Sequence, residues 1–110
     1  MIYSKNLLVI KILFENTSNK NIFGIYRPSA YLKETGNYCT TLRMDITKKE
    51  IEPGDDIVMT AILESPVGFG EHLNVRSMLS IRNGLDEVGR AMILEIIGYF
   101  DEVEVQKKKD

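Results

Sequence analysis

The pattern of apolar and polar positions predicts β-strands along the chain. Apolar stretches are short, rich in β-branched residues and bounded by turn signals, and none continues at helical period long enough to predict a helix. Leu42, Met44 and Ile46 recur at period two, which is typical of a strand with one buried face. The predicted strands are residues 7–14, 22–33, 38–46, 55–63, 73–81 and 88–97.

Glycine, proline and charged residues mark the connections between these strands. Pro53-Gly54 is a turn pair that closes a charged connection. Pro28 interrupts the second strand and predicts an edge position, a bulge or a bend, because proline has no amide hydrogen to donate to a ladder. The predicted connections are residues 15–21, 35–37, 48–54 and 65–72.

The most informative stretch is a predicted hairpin with a charged tip. Asn83-Gly84 is among the strongest short turn signals, because both residue types tolerate positive φ. The tip presents Arg82, Asp86 and Glu87 to solvent on a rigid two-stranded support. Such a tip suits recognition of a partner better than covalent chemistry.

About six short strands at close spacing predict an all-β antiparallel barrel or sandwich. One domain over residues 1–100 accounts for them, and residues 101–110 are expected to form a C-terminal edge strand or basic tail. Each strand must bury one face in the core. The residues expected there include Val9, Phe23, Ile57, Met59, Ile81 and Ile93.

Composition bounds the class of protein. A chain of 110 residues with 44% hydrophobic content supports a single core. The formal charge of −2 and the pI near 5.4 provide no overall basic field, so a nucleic-acid site would have to be a local patch. Cys39 is the only cysteine, so no internal disulfide forms and an oxidising compartment is not required.

The N-terminal segment has only some features of a targeting sequence. Residues 1–14 faintly resemble a signal peptide, but Lys11 interrupts the apolar run and no small-residue cleavage site follows. No run approaches the roughly 18 to 20 apolar residues that a spanning helix needs. We therefore expect a soluble cytoplasmic protein with no membrane partner.

Catalytic and metal-binding constellations are not expected. Cys39 and His72 have the types of a nucleophile and a base, but no third residue is indicated to orient them. His72 also lacks partner His or Cys residues at metal-ligand spacing. The chain is predicted to be no enzyme, with no catalytic residues, no metal and no cofactor.

Four blocks of residues occur in order along most of the predicted domain. They are Tyr26-Arg27-Pro28 with Tyr31 and Lys33, Pro53-Gly54-Asp55 with Ile57, Met59 and Thr60, Ser65-Pro66-Val67, and Ile81-Arg82 with Gly84 and Val88-Gly89. Together these blocks resemble the C-terminal β-barrel, domain III, of translation elongation factor Tu. The resemblance implies an antiparallel six-stranded barrel.

The departures from that family bear on function. The GTPase domain and its phosphate loop are missing, so neither nucleotide binding nor hydrolysis is expected. In the family, an Arg-Glu-Gly turn and a glutamine after Tyr-Arg-Pro help to hold the aminoacyl-tRNA backbone. Here Arg82 and Gly84 match that turn, but Asn83 replaces its glutamate and Ser29 replaces the glutamine. The resemblance therefore implies weakened RNA binding.

Three hypotheses for function remain open. The favoured one is a stand-alone module that binds a protein partner, as a decoy, a regulator or an immunity-type protein. The second is a small tRNA- or RNA-binding protein that uses Arg82, Gly84, Arg90 and Lys33. The third, ranked last, is a truncated or degenerate remnant of a translation factor or an enzyme with an unrecognised site. The predicted partner-binding residues are Arg82, Asn83, Gly84, Asp86, Glu87, Arg90, Arg27, Ser29 and Lys33.

Overall fold

The structure is all-β, as the sequence predicts. The computed structural model describes residues 7–32, 39–64, 73–102 and 105, apart from the side chains of Cys39 and Lys48. Seven strands lie in these residues. They are β1 (Leu7–Asn16), β2 (Ile22–Tyr26), β3 (Ser29–Leu32), β4 (Cys39–Ile51), β5 (Asp56–Glu64), β6 (Met78–Asn83) and β7 (Asp86–Phe100).

Six of the strands close into an antiparallel barrel. The order around it is β4-β3-β6-β7-β1-β5, and β5 pairs again with β4 to complete the ring. The predicted six-stranded antiparallel barrel is therefore confirmed. Closure removes the sheet edges that would otherwise invite pairing with other chains.

The seventh strand, β2, lies outside the ring because the chain bends at Pro28. The first half of β4 pairs with β3, through Cys39 to Thr41, whereas its second half pairs with β2. The carbonyl oxygen of Pro28 accepts a 2.9 Å hydrogen bond from the amide of Leu42 at the bend. β2 and the second half of β4 thus form a two-stranded ribbon at one end of the barrel.

Asn16 joins the three connections at that end. Its side chain is fully buried, and its Nδ2 donates to the carbonyl oxygens of Lys20 at 2.8 Å and Ile51 at 2.9 Å. Its own amide donates to Asp55 O, and its carbonyl accepts from Gly54 N. One buried amide therefore satisfies the β1–β2 loop, the end of β4 and the β4–β5 turn together.

The barrel interior is filled by alternate residues of each strand. Ile81 and Ile93 are fully buried, while Ile57 and Met59 are partly buried against the core, as predicted. The prediction for Phe23 is wrong, since its side chain is 60% exposed. In β2 the neighbouring residue Ile22 faces the core instead. Successive side chains of a strand point to opposite faces, so burial of Ile22 places Phe23 on the outer face.

A second apolar cluster lies on the outer surface of the barrel. It contains Leu7, the predicted core residue Val9, Ile62 and Val105. The amide of Val105 donates to the carbonyl of Asp101 at 3.1 Å, the spacing of a helical turn. The rest of the predicted C-terminal edge strand or basic tail lies mostly outside the described residues.

Arg43 ties this C-terminal turn to the barrel. Its side chain is only 7% exposed, and its guanidinium contacts Glu64 at 2.6 Å and Glu102 at 3.1 Å. Burial lowers the pKa of Arg43, but its hydrogen bonds to both carboxylates outweigh this and leave the pKa raised. The arginine stays charged because both carboxylates face it.

Strand boundaries differ from the predicted ones at three places. β4 continues to Ile51, because its charged second half pairs with β2, and β7 continues to Phe100 beside β1. Residues 73–77 form a turn, with Arg76 at a φ of 77°, so β6 starts only at Met78. The turn predicted at residues 35–37 and the loop at 65–72 lie outside the described residues.

Candidate functional site

The β6–β7 hairpin has a two-residue loop, Gly84-Leu85. Asn83 lies opposite Asp86, and only Gly84 of the two loop residues has positive φ, at 66°. Glycine at the first loop position is characteristic of a type II′ turn, whose twist matches the flanking strands. Asn83, predicted to share the centre of the turn, is instead the last residue of β6.

A β-bulge follows the turn on β7. Arg82 lies opposite Glu87 but Ile81 lies opposite Gly89, so Val88 is the extra residue. A Cβ at Gly89 would come within 2.5 Å of Phe14 Cε1 and 2.8 Å of Glu15 O. Glycine at this position is what lets the hairpin base approach β1.

Arg82 is held by contacts within the protein. Its guanidinium carbon lies 4.6 Å from the centroid of the Tyr31 ring, and its Nε donates to Ser80 Oγ at 3.1 Å. Ser80, only 1% exposed, donates in turn to Glu87 Oε2 at 2.6 Å. Arg82, Ser80 and Glu87 therefore form one connected network on the outer surface of the hairpin.

Arg90 continues this polar surface on β7. It lies opposite Ser80, and its guanidinium contacts Glu15 Oε1 on β1 at 3.1 Å. Its Nε is buried and has no hydrogen-bond partner among the described residues. Both arginines of the predicted RNA-facing set are thus bound to groups of the protein itself.

The remaining predicted partner-binding residues are only partly brought together. Ser29 lies directly opposite Arg82 on β3 and so belongs to the same surface. Arg27 is exposed at the bend between β2 and β3. Lys33 lies outside the described residues, and its position relative to Arg82 is therefore not part of the site described.

A groove lies between the hairpin and the edge of β2, and we call it the tip groove. Its volume is about 700 Å³. Leu85 at the hairpin tip is 97% exposed, and Phe23 on β2 is 60% exposed. The tip groove is lined by Ser18, Asn19, Lys20, Asn21, Ile22, Phe23, Tyr26, Asn83, Leu85, Asp86, Glu87 and Val88.

The end of the barrel that carries the tip groove is acidic. Residues 15–21, 49–56 and 82–90 meet there, since Asn16 and Thr17 bond to Asp55 and Val88. Within these segments the acidic side chains outnumber the basic ones by seven to four. They are Glu15, Glu50, Glu52, Asp55, Asp56, Asp86 and Glu87, against Lys20, Lys49, Arg82 and Arg90.

Sequence reasoning missed several residues of this site, among them the exposed Leu85 at the hairpin tip. Ser80 and Tyr31 orient Arg82, and Phe23 was assigned to the core rather than to the surface. Alternation along β6 places Ser80 and Arg82 on one face, which is a signal for their contact. The position of Tyr31 depends on pairing between strands about fifty residues apart, which the sequence pattern does not specify.

No protein-family model matches the sequence, and no curated protein matches it either. The described residues contain no group of three or more His, Cys, Asp or Glu side chains arranged to hold a metal ion. Among the same residues, no helix has the length and apolar character to cross a lipid bilayer. His72 and the side chain of Cys39 lie outside what the structure describes.

The hairpin tip and the tip groove have the features of a surface that binds another molecule without reacting with it. Leu85 projects from the hairpin tip and Phe23 from β2, and polar groups surround them. Burial raises the pKa of Tyr26, which lines the tip groove, so its phenol stays neutral and able to donate a hydrogen bond. Exposed apolar groups with a polar rim are typical of protein-recognition surfaces.

Proposed function

We propose that this chain is a non-catalytic binding module that recognises a protein partner with the β6–β7 hairpin tip and the tip groove. The observation that carries the proposal is the 97% exposure of Leu85 at the tip of the hairpin, together with the exposed Phe23 on β2. A two-residue turn fixes the backbone position of Leu85. A backbone that is already ordered by the hairpin loses less entropy when the tip enters a partner's pocket.

The engagement of the arginines favours a protein over RNA. Arg82 lies over the Tyr31 ring, and Arg90 contacts Glu15, so groups of the protein itself already engage both guanidinium charges. Asp86 and Glu87 at the same tip would repel a nucleic-acid backbone. RNA binding through Arg82, Arg90 and Lys33 remains the second candidate, on the basis of the family resemblance alone.

The resemblance to domain III of elongation factor Tu supports a finer form of the proposal. A closed six-stranded antiparallel barrel is compatible with that domain. A stand-alone copy of such a barrel would present a translation-factor-like surface and act as a decoy, a regulator or an immunity-type protein. A truncated remnant of a translation factor is the competing interpretation, and a remnant would have no partner of its own.

Affinity capture with matched variants tests the proposal. The immobilised chain is exposed to an extract of its native source, and bound proteins and RNA are both identified. Leu85→Ser should abolish capture of a specific protein, whereas Val75→Ser should leave it unchanged. Val75 is 54% exposed and precedes β6, so it lies at the end of that strand away from the hairpin tip.

Titration with tRNA at low salt tests the RNA-binding candidate. Saturable tRNA binding that is lost in Arg82→Ala would favour the RNA candidate, and each phosphate contact would add about 0.7 to 0.9 to the slope of log K against log salt. Under the protein proposal, we expect no saturable tRNA binding. Capture of neither protein nor RNA above the level of the Leu85→Ser variant would favour the remnant interpretation.

A further inference from the structure

The two walls of the tip groove differ in kind. One wall is the edge of β2, which pairs with β4 and with no other described strand. The other wall is the hairpin tip, with Asn83, Asp86 and Val88 turned toward the groove. An occupant therefore meets backbone donors and acceptors on one side and a rigid hairpin on the other.

Apolar contacts are available at both walls and along the floor. Phe23 and Leu85 are the exposed ones, and Ile22, Tyr26 and Val88 are buried or half-buried beneath them. Covering Phe23 and Leu85 would remove two large apolar side chains from water. An occupant thus gains most by placing an apolar side chain between them.

The rim of the tip groove is acidic and therefore favours a positively charged occupant. Asp86 and Glu87 line the tip groove, and Glu50 lies beside it because its carboxylate accepts a 2.7 Å hydrogen bond from Asn21. Lys20 is the only basic side chain among the lining residues. The surrounding end of the barrel is also acidic, as described above, so its field reinforces that of the rim.

We propose that the tip groove binds a basic amphipathic segment of another protein, with an apolar side chain between Leu85 and Phe23 and Lys or Arg side chains at Asp86, Glu87 and Glu50. The inference rests on the proposed protein-binding function and names the chemistry of its partner. A second copy of this chain is a poor occupant, because it carries a net charge of −2 and the same acidic end. Nucleic acid is repelled for the same reason.

Synthetic peptides test the charge and the apolar anchor separately. The probe is a fluorescently labelled octapeptide of alternating lysine and leucine, compared with its glutamate–leucine and lysine–serine counterparts. Anisotropy titrations of the whole chain should show saturable binding of the lysine–leucine peptide, weakened at high salt. The glutamate–leucine peptide should not bind, and the lysine–serine peptide should bind at least about tenfold more weakly.

Variants locate the binding. Asp86→Asn and Glu50→Gln should each weaken binding of the lysine–leucine peptide about two- to fivefold. Glu50→Gln keeps the oxygen that accepts the Asn21 hydrogen bond, so the wall is preserved. Glu95→Gln is the matched control, since Glu95 is exposed on β7 opposite Lys11 and does not line the tip groove, and it should leave binding unchanged.

Equal binding of the glutamate–leucine peptide, or equal effects of Glu95→Gln and Asp86→Asn, would overturn the inference. So would amide shifts in NMR spectra that map away from residues 22–26 and 83–88. Failure of the proposed function would give another result: the Leu85→Ser variant would capture the natural protein as well as the wild type does. Capture that depends on Leu85 but resists both high salt and Asp86→Asn would retain the function and reject a basic partner.

Discussion

The Arg82 guanidinium lies 4.6 Å from the centroid of the Tyr31 ring, across the β3–β6 pair. Tyr31 lies opposite Ser80, so it is a diagonal neighbour of Arg82, within reach of long and aromatic side chains. This contact turns the arginine along the barrel surface and places its Nε on Ser80. Arg82 was predicted to contact a partner because it lies in the hairpin. Its contacts with Tyr31 and Ser80 show that it also supports the fold.

A double-mutant cycle measures that contact. Arg82→Ala should destabilise the isolated chain by about 1 kcal/mol, because it removes the cation–π contact and the hydrogen bond to Ser80. In a Tyr31→Leu background the cost should fall, giving a coupling of about 0.5–1 kcal/mol. Urea unfolding of the four proteins supplies the free energies of unfolding. A coupling indistinguishable from zero would show that Arg82 is solvated and available to a ligand.

Asn16 should be the most sensitive polar position at the acidic end of the barrel. Asn16→Ala removes the Nδ2 hydrogen bonds to the carbonyls of Lys20 and Ile51, and it removes the acceptor of the Ser18 amide and hydroxyl. The expected loss in the free energy of unfolding is about 2–4 kcal/mol. The control is Asn19→Ala, an exposed asparagine in the same loop, which should change stability by less than about 0.5 kcal/mol. Equal losses for the two variants would contradict the role assigned to Asn16.

The sequence specifies the strands and turns well because both depend on local pattern. Leu42, Met44 and Ile46 alternate with polar residues, so one face of the strand is apolar and the other is polar. Only the apolar face can be turned toward the core. Pro28 forces the bend between β2 and β3, since it cannot donate to a ladder. These features need no knowledge of distant strands.

β2 shows where such reasoning fails. Ile22 and Phe23 are both large and apolar, as are Ile25 and Tyr26, so both parities of the strand bury one residue of each pair. The choice is made by pairing with β4, in which Tyr26 lies opposite the buried Met44. The candidate site shares this dependence, because Arg82 meets Tyr31, and Arg90 meets Glu15, only through the register of four strands.

Neighbouring alanine variants test the parity of β2. Ile22→Ala should cost about 2–4 kcal/mol of unfolding free energy, because Ile22 is buried against the core. Phe23→Ala should cost less than about 0.5 kcal/mol, since the ring is mostly in water. Denaturant unfolding at one pH compares them directly. The reverse order would restore Phe23 to the core and remove one wall of the tip groove.

Tyr26 should make stability sensitive to alkaline pH. Burial raises the pKa of Tyr26 above its ordinary value of 10.0, so ionisation of the phenol is less favourable in the folded chain than in the unfolded chain. The resulting stability is fully present below pH 10 and is lost as the pH rises through the raised pKa of the folded state. Tyr26→Phe keeps the ring but has no group to ionise. Urea unfolding between pH 7 and pH 11 should therefore give a constant difference between the two proteins up to about pH 10, and above it the wild type should lose stability faster than the variant. Profiles that stay parallel up to pH 11 would show that the Tyr26 phenol is as well solvated in the folded barrel as in the unfolded chain.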